Sequence, residues 1–97
     1  MEALPFNKVL FNYIRLQIAE ELYGESWVSF QDLKRLFGLT DGNLCSHMGA
    51  LEHDHIIEFK KEFEGKKPRT FFRLTELGEK ELMGLKEWFR QKFMEGD

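Results

Sequence analysis

Four side chains in the middle of the sequence have the chemistry to bind a metal ion: Cys45, His47, His53 and His55. Thiolates and imidazoles are common zinc ligands, and a structural zinc site uses four ligands. The spacing is poor, because Cys45 and His47 are two residues apart and do not share a face of a helix. His53 and His55 straddle the end of the same predicted helix. We therefore predict no metal site and no cofactor.

A catalytic site has less support still. Ser46 and His47 are adjacent, so their side chains diverge on a helix and cannot form a nucleophile–base pair. The sequence has no glycine-rich phosphate loop and no carboxylate pair that would flank a cleft. Cys45 is the only cysteine, which excludes an internal disulfide. Its thiol is either a small packed group or a redox switch. We predict that the protein is not an enzyme.

The length of 97 residues predicts a single domain, residues 1–97. Ten phenylalanines supply a large apolar surface area for a domain of this size, which indicates a subunit interface. The first residues carry charge at Glu2 and Lys8 and do not look like a signal peptide. No apolar run approaches the ~20 residues that cross a bilayer. We expect a soluble, cytoplasmic protein with no membrane contact.

Capping and turn signals predict the elements that position these residues. Ser29 and Thr40 are N-cap residues for two short helices separated by Gly38, which gives a helix-turn-helix at about 29–53. An apolar-rich stretch then predicts a two-stranded hairpin at about 56–74, with its tip at 64–68.

Two terminal helices complete the predicted fold. The first runs over about 5–23, with Pro5 in its first turn, and the last runs over about 76–94, capped by Thr75. Trp27 and Val28 add a short strand to the hairpin. The fold class is α+β, mostly helical: a winged helix-turn-helix with N- and C-terminal dimerisation helices. This fold is mostly used to read duplex DNA.

The second helix of the helix-turn-helix is predicted to face a ligand with its small and polar side. Leu44, Met48 and Leu51 recur at helical spacing and face the core. The other sides carry small residues, which permit close approach, and side chains that hydrogen-bond to base edges or phosphates. The helix N-terminus offers free N–H groups to an anion. The candidate DNA-binding residues here are Thr40, Gly42, Asn43, Ser46 and His47.

The hairpin is the only positively charged segment of a chain whose net charge is -3. Residues 58–74 hold six Lys or Arg against three Glu, a net +3. Lys66, Lys67 and Arg69 lie at the tip and are predicted to grip the phosphate backbone, or to enter the minor groove through Arg69. The alternative is that these cations are solvated and protect an edge strand from aggregation.

Both terminal helices are apolar around more of their circumference than a one-sided surface helix needs. One side of each can pack on the helix-turn-helix, and a second copy of the chain is the simplest cover for the other. The alternatives are that the first helix lies sandwiched within its own domain and that the last helix folds back on the first. The predicted dimer interface consists of Phe6, Leu10, Phe11, Ile14, Leu82, Leu85, Trp88, Phe89 and Phe93.

Two runs of the sequence resemble small MarR/ArsR-like winged-helix transcriptional regulators. The first spans Val28 to Glu52 and includes Phe37-Gly38-Leu39-Thr40, and the second spans Glu62 to Gly78. Arg15-Leu16-x-Ile18 is similar as well. The resemblance implies a homodimeric regulator that places its third helix in the major groove, flanks it with the wing and dimerises through its terminal helices. Cys45 departs from the family pattern, which implies a serine-like residue there.

These observations lead to two hypotheses of different kinds. The first is sequence-specific binding of double-stranded DNA by a homodimer. The second is a protein-interaction module without specific DNA binding, which the acidic balance outside the hairpin favours. A small-molecule effector between the first and last helices remains open, and its identity is unknown from the sequence.

Overall fold

The computed structural model describes residues 4–94. Within these residues, four α-helices and the strands of a three-stranded antiparallel sheet follow one another. The helices are α1 (Tyr13–Leu22), α2 (Phe30–Phe37), α3 (Asp41–His53) and α4 (Glu76–Phe89). The strands are β1 (Val28–Ser29), β2 (Ile57–Glu64) and β3 (Lys67–Leu74). This order is the winged helix-turn-helix that the sequence predicts.

Three predicted caps are present with their hydrogen bonds. Ser29 Oγ accepts from the Asp32 amide at 3.0 Å, and Thr40 Oγ1 accepts from the Asn43 amide at 3.1 Å. Thr75 Oγ1 accepts from the Gly78 amide at 2.9 Å. Each of these bonds satisfies a backbone donor that has no partner inside its helix.

The first helix begins at Tyr13, so the predicted start at Pro5 is wrong. Asn12 Oδ1 accepts from the amides of Ile14 and Arg15, both at 3.1 Å, and caps α1 there. Asn7 in turn caps a separate single turn of 3-10 helix, Lys8–Leu10. Asparagine side chains compete for nearby backbone donors and therefore break a continuous helix.

The last helix and the hairpin tip also differ from their predicted bounds. α4 ends at Phe89 and continues as a π-helical stretch, Arg90–Met94, rather than as α-helix to residue 94. The hairpin turn is tighter than predicted, because β3 already begins at Lys67 and includes Pro68. Only Gly65, with φ +68°, and Lys66 remain between the strands. Glycine takes this left-handed conformation without steric cost.

The sheet order is β1-β3-β2, which leaves β2 at an edge. Ile57 pairs with Leu74 and Phe59 with Phe72, whereas the outer half of the hairpin pairs only with itself. The core lies between α1, α2, α3, α4 and the base of the hairpin. Its largest fully buried side chains are Leu10, Ile18, Leu22, Leu33, Leu44, Leu51, Ile56, Ile57 and Leu82. The tip therefore projects from a body that is already packed.

Candidate nucleic-acid interface

The outer side of α3 is exposed and lined by small or polar residues. Leu44, Met48 and Leu51 are buried and hold the helix on the core, as predicted. Gly42, Asn43 and Ser46 are exposed, and no atom lies within 4 Å of a Cβ built on Gly42 or Gly49. A helix with this surface can approach another molecule closely and still present hydrogen-bonding groups.

The acid in the first turn of α3 is neutralised by α2. Lys34 Nζ lies 2.7 Å from Asp41 Oδ1. An unpaired carboxylate at this position would repel an anion approaching the helix N-terminus. The pairing leaves the first-turn amides of Asp41 and Gly42, which have no intrahelical acceptors, in a less negative environment. This role of Lys34 was not predicted from the sequence.

His47 lies on the side of α3 that faces α1. Its Nδ1 is buried and has no hydrogen-bond partner within residues 4–94. Burial, and secondly the positive charge of Arg15, lower the pKa of His47 below its ordinary value of 6.5. This shift favours the neutral imidazole. Because His47 is half-buried, it is less available to a ligand than Asn43 or Ser46.

The opposite side of α3 forms a groove with the hairpin. Cys45, Met48, Gly49 and Glu52 contribute from the helix, and Phe30, Phe59, Thr70 and Phe72 complete the lining. The groove holds about 400 Å³ and its walls are mostly apolar. Cys45 is exposed at this groove, so its thiol lies beside the hairpin. α3 and the hairpin thus share one concave surface.

The predicted tip cations differ in their pairing. Arg69 Nε lies 2.5 Å from Glu64 Oε2, so its charge is largely compensated within the hairpin. Lys66 and Lys67 are exposed, and within residues 4–94 neither forms an ion pair. The unpaired positive charge of the tip is therefore carried by the two lysines.

Comparison with known proteins places this geometry in a family. Residues 14–93 match the family model described as "Winged helix DNA-binding domain". The chain belongs to this winged-helix DNA-binding family. The resemblance inferred from its two sequence runs is therefore confirmed, and the fold neighbours are transcriptional regulators rather than enzymes.

Individual relatives agree with this assignment. The chain is 34% identical over 71 residues to an uncharacterized protein of Methanocaldococcus jannaschii, covering 73% of this chain and 77% of that protein. A transcriptional regulator homologue from Pyrococcus horikoshii OT3 superposes with a TM-score of 0.74 at 27% identity, covering 90% of both chains. A protein described as a MarR-family regulator, from Porphyromonas gingivalis W83, has a TM-score of 0.69 at 22% identity, over 93% of this chain and 86% of that one. The last likeness is one of fold.

The winged-helix domain covers part of the predicted dimer surface itself. Four residues of the predicted interface are buried in the chain's own core: Phe6, Leu10, Leu82 and Leu85. They cannot belong to an exposed subunit interface, so the prediction is wrong for these four. The Asn7 amide donates to Glu81 Oε2 at 2.7 Å and fastens the N-terminal segment to α4. Ile14 is half-buried against the same core. The sandwiched arrangement that the sequence left open for the first helix thus applies to Phe6 and Leu10, and α4 packs against the same core.

Other members of that predicted surface remain accessible. Phe11 and Phe93 are 61% and 64% exposed, and both rings lie edge-on to Trp88 with centroids 6.0 Å away. The Phe89 and Phe93 rings are tilted by 43°, with their centroids 4.8 Å apart. A mostly apolar groove of about 350 Å³ between α1 and α4 continues this surface, and Phe89 and Met94 help to line it.

Two further observations concern metal ligands and membrane-spanning helices. Within residues 4–94, no three His, Cys, Asp or Glu side chains converge as metal ligands would. None of the helices in that part of the chain combines the length and apolar character needed to cross a membrane.

Proposed function

We propose that this winged-helix protein binds specific sequences of double-stranded DNA as a homodimeric transcriptional regulator. The observation that supports this most strongly is the exposed outer side of α3, which presents Gly42, Asn43 and Ser46 to solvent. A helix with small residues at its surface fits the major groove, where side-chain amides and hydroxyls can read base edges.

The residues of α3 divide between sequence reading and anchoring. Asn43 and Ser46 contact base edges, and His47 contributes at most one contact because it is half-buried. Thr40 holds a phosphate: its hydroxyl accepts from the Asn43 amide and still has a proton to donate. The amides of Asp41 and Gly42 bind the same backbone segment.

The wing supplies the sequence-independent part of binding. Lys66 and Lys67 contact phosphates, since their charges have no partner in the hairpin. Arg69 contributes less than the sequence suggested, because a phosphate must displace Glu64 from it. Two to three such contacts predict an affinity that depends on salt and is modest for a single subunit.

The second copy of the chain covers the exposed aromatic surface at the ends of the domain. That surface consists of Phe11, Phe89, Phe93 and Met94, all of them exposed. Clustered exposed apolar side chains of this size are typical of an interaction site. A two-fold axis there would place two α3 helices about one DNA turn, ~34 Å, apart on a pseudo-palindrome.

Binding and assembly are tested separately. Fluorescence anisotropy with a labelled random duplex at low salt should show binding at micromolar protein, and selection from a random pool should return a two-fold symmetric sequence. The absence of binding would contradict the proposal and favour the protein-interaction module. For assembly, sedimentation velocity should show a dimer that Phe93→Asp dissociates. Leu36→Asp, which changes an exposed apolar residue of α2, is the matched control.

A further inference from the structure

One large apolar side chain on the wing lies far from the core and is not used by the proposed contacts. Phe63 is 77% exposed near the end of β2. Its cross-strand partner is Pro68, which is also exposed. Removing a phenylalanine ring from water is favourable, so an exposed ring at the end of an edge strand is available to bind a ligand or a partner.

The side of the sheet on which Phe63 lies follows from the strand register. Alternate residues of a strand share a face, and cross-strand partners lie on the same face. Phe63 therefore lies on the face of Phe59 and Phe72, whose rings are 6.4 Å apart. These two rings line the groove that the hairpin forms with α3. Phe63 extends the α3-facing side of the wing outward beyond that groove.

On the other face of the wing, most charged side chains form ion pairs or cation–π contacts within the protein. Arg73 pairs with Glu58, and Lys60 pairs with Glu62 at 2.8 Å. Lys60 and Arg73 also lie 4.5 Å from the Trp27 ring, in cation–π contacts. Except for Lys67 at the tip, the cations of this face are paired within the protein and offer little to a ligand.

The α3-facing side has the opposite character. Apart from its aromatic rings it carries Lys61, which has no ion-pair partner within residues 4–94 and lies opposite Thr70. Lys66, in the turn beside it, is also unpaired. The face thus combines an apolar projection with unneutralised cations. That combination is complementary to a minor groove, whose walls are deoxyribose and whose rims are phosphates.

We infer that Phe63, supported by Pro68, enters the minor groove of bound DNA as an apolar wedge. This inference rests on the proposed DNA binding and gives the wing a contact that reads groove shape. Arg69, the side chain expected from the sequence to enter the groove, lies on the opposite face and is held by Glu64. Apolar side chains that insert into a minor groove partly unstack a base step and favour flexible steps.

The test compares the full chain with Phe63→Ala, using a labelled duplex selected from a random pool by the wild-type protein. We expect Phe63→Ala to weaken binding about tenfold at every salt concentration, with an unchanged slope of log Kd against log salt, because a ring releases no counterion. Phe63→Leu should retain most of the affinity. Leu77→Ala, an exposed apolar residue of α4, is the control and should bind like the wild type.

A second measurement reports the wedge directly. 2-Aminopurine placed at successive steps flanking the central contacts should brighten at one step with the wild type and remain quenched with Phe63→Ala. If the wild type binds the duplex and Phe63→Ala binds equally well, the wedge is refuted while DNA binding stands. If the wild type binds no duplex, the proposed function itself fails, and Phe63 belongs instead to a protein-binding surface.

Discussion

Lys34 of α2 and Asp41 of α3 form an ion pair, with Nζ 2.7 Å from Oδ1, across the turn of the helix-turn-helix. Both side chains are accessible, with 36% and 70% of their surfaces exposed. A pair this exposed contributes less than about 1 kcal/mol to stability. Its greater effect is on charge, because it removes the negative potential of a carboxylate from the end of the helix where a phosphate would bind.

We therefore expect Lys34→Ala to weaken duplex binding several-fold while leaving the free energy of unfolding nearly unchanged. The reason is that Asp41 would then repel the phosphate held by Thr40 and the first-turn amides. Anisotropy titration at low salt measures the effect. The double variant Lys34→Ala with Asp41→Asn should regain most of the loss. If the two variants bind equally weakly, Lys34 contacts DNA itself rather than neutralising Asp41.

Gly78 in the first turns of α4 is required by a close approach to the hairpin base. A Cβ built on it would lie 2.0 Å from the Ile56 carbonyl oxygen. That oxygen is held in place, because it accepts from the Thr75 amide at 3.0 Å. Gly78→Ala should lower the free energy of unfolding by about 1–3 kcal/mol, or more if the backbone cannot shift.

Urea denaturation checks this prediction, and Gly49→Ala is its matched control. No atom lies within 4 Å of a Cβ built on Gly49, which is in the middle of α3. Alanine there should raise the free energy of unfolding by roughly 0.5–1 kcal/mol through helix propensity alone. Equal effects of the two substitutions would show that the Ile56 contact is not what constrains Gly78.

The sequence predicted the features that local chemistry determines. The caps at Ser29, Thr40 and Thr75 each depend on a side chain and a backbone amide three residues away, so they were visible in the sequence. The start of α1 was missed because two local signals compete: Pro5 tolerates a helix start, but Asn12 provides a better cap.

Burial and side-chain pairing depend on residues that are distant in the sequence, and they were not predicted correctly at every position. Leu10 and Leu82 have the same apolar character as Phe93, yet only the fold decides which of them the chain covers itself. The pairing of Arg69 with Glu64 depends on side-chain directions across a turn. Strand alternation predicts that Phe63 shares a face of the hairpin with Phe59. That this face is the one directed toward α3 becomes clear only from the groove between α3 and the hairpin.

The tip cations are expected to contribute unequally to the salt dependence of DNA binding. Replacing both Lys66 and Lys67 with Ala should reduce the slope of log affinity against log salt by about two, since each phosphate contact releases about one counterion. Arg69→Ala should reduce the slope by less than one, because Glu64 already compensates its charge. Lys80→Ala, on the exposed surface of α4, controls for total charge and should leave the slope unchanged. If Lys80→Ala reduced the slope as much as the tip substitutions do, the tip lysines would not contact DNA.

His47 should make the stability of the domain depend on pH. Burial, followed by the charge of Arg15, lowers the pKa of His47 below 6.5 in the folded state. The unfolded chain therefore binds the proton more readily, and the free energy of unfolding falls as the pH drops below about 6.5. The penalty is absent above that pH, where the imidazole is neutral in both states.

Urea denaturation at pH values between about 7.5 and 5.5, bracketing the ordinary histidine pKa, isolates this contribution. We expect His47→Gln to lose less stability on acidification than the wild type, because its amide does not titrate. His53→Gln is the matched control, since His53 lies on the same helix with an exposed side chain. Parallel pH profiles for His47→Gln and the wild type would show that the proton is taken up elsewhere. Steeper acid loss in His47→Gln than in His53→Gln would contradict the sign derived from its burial beside Arg15.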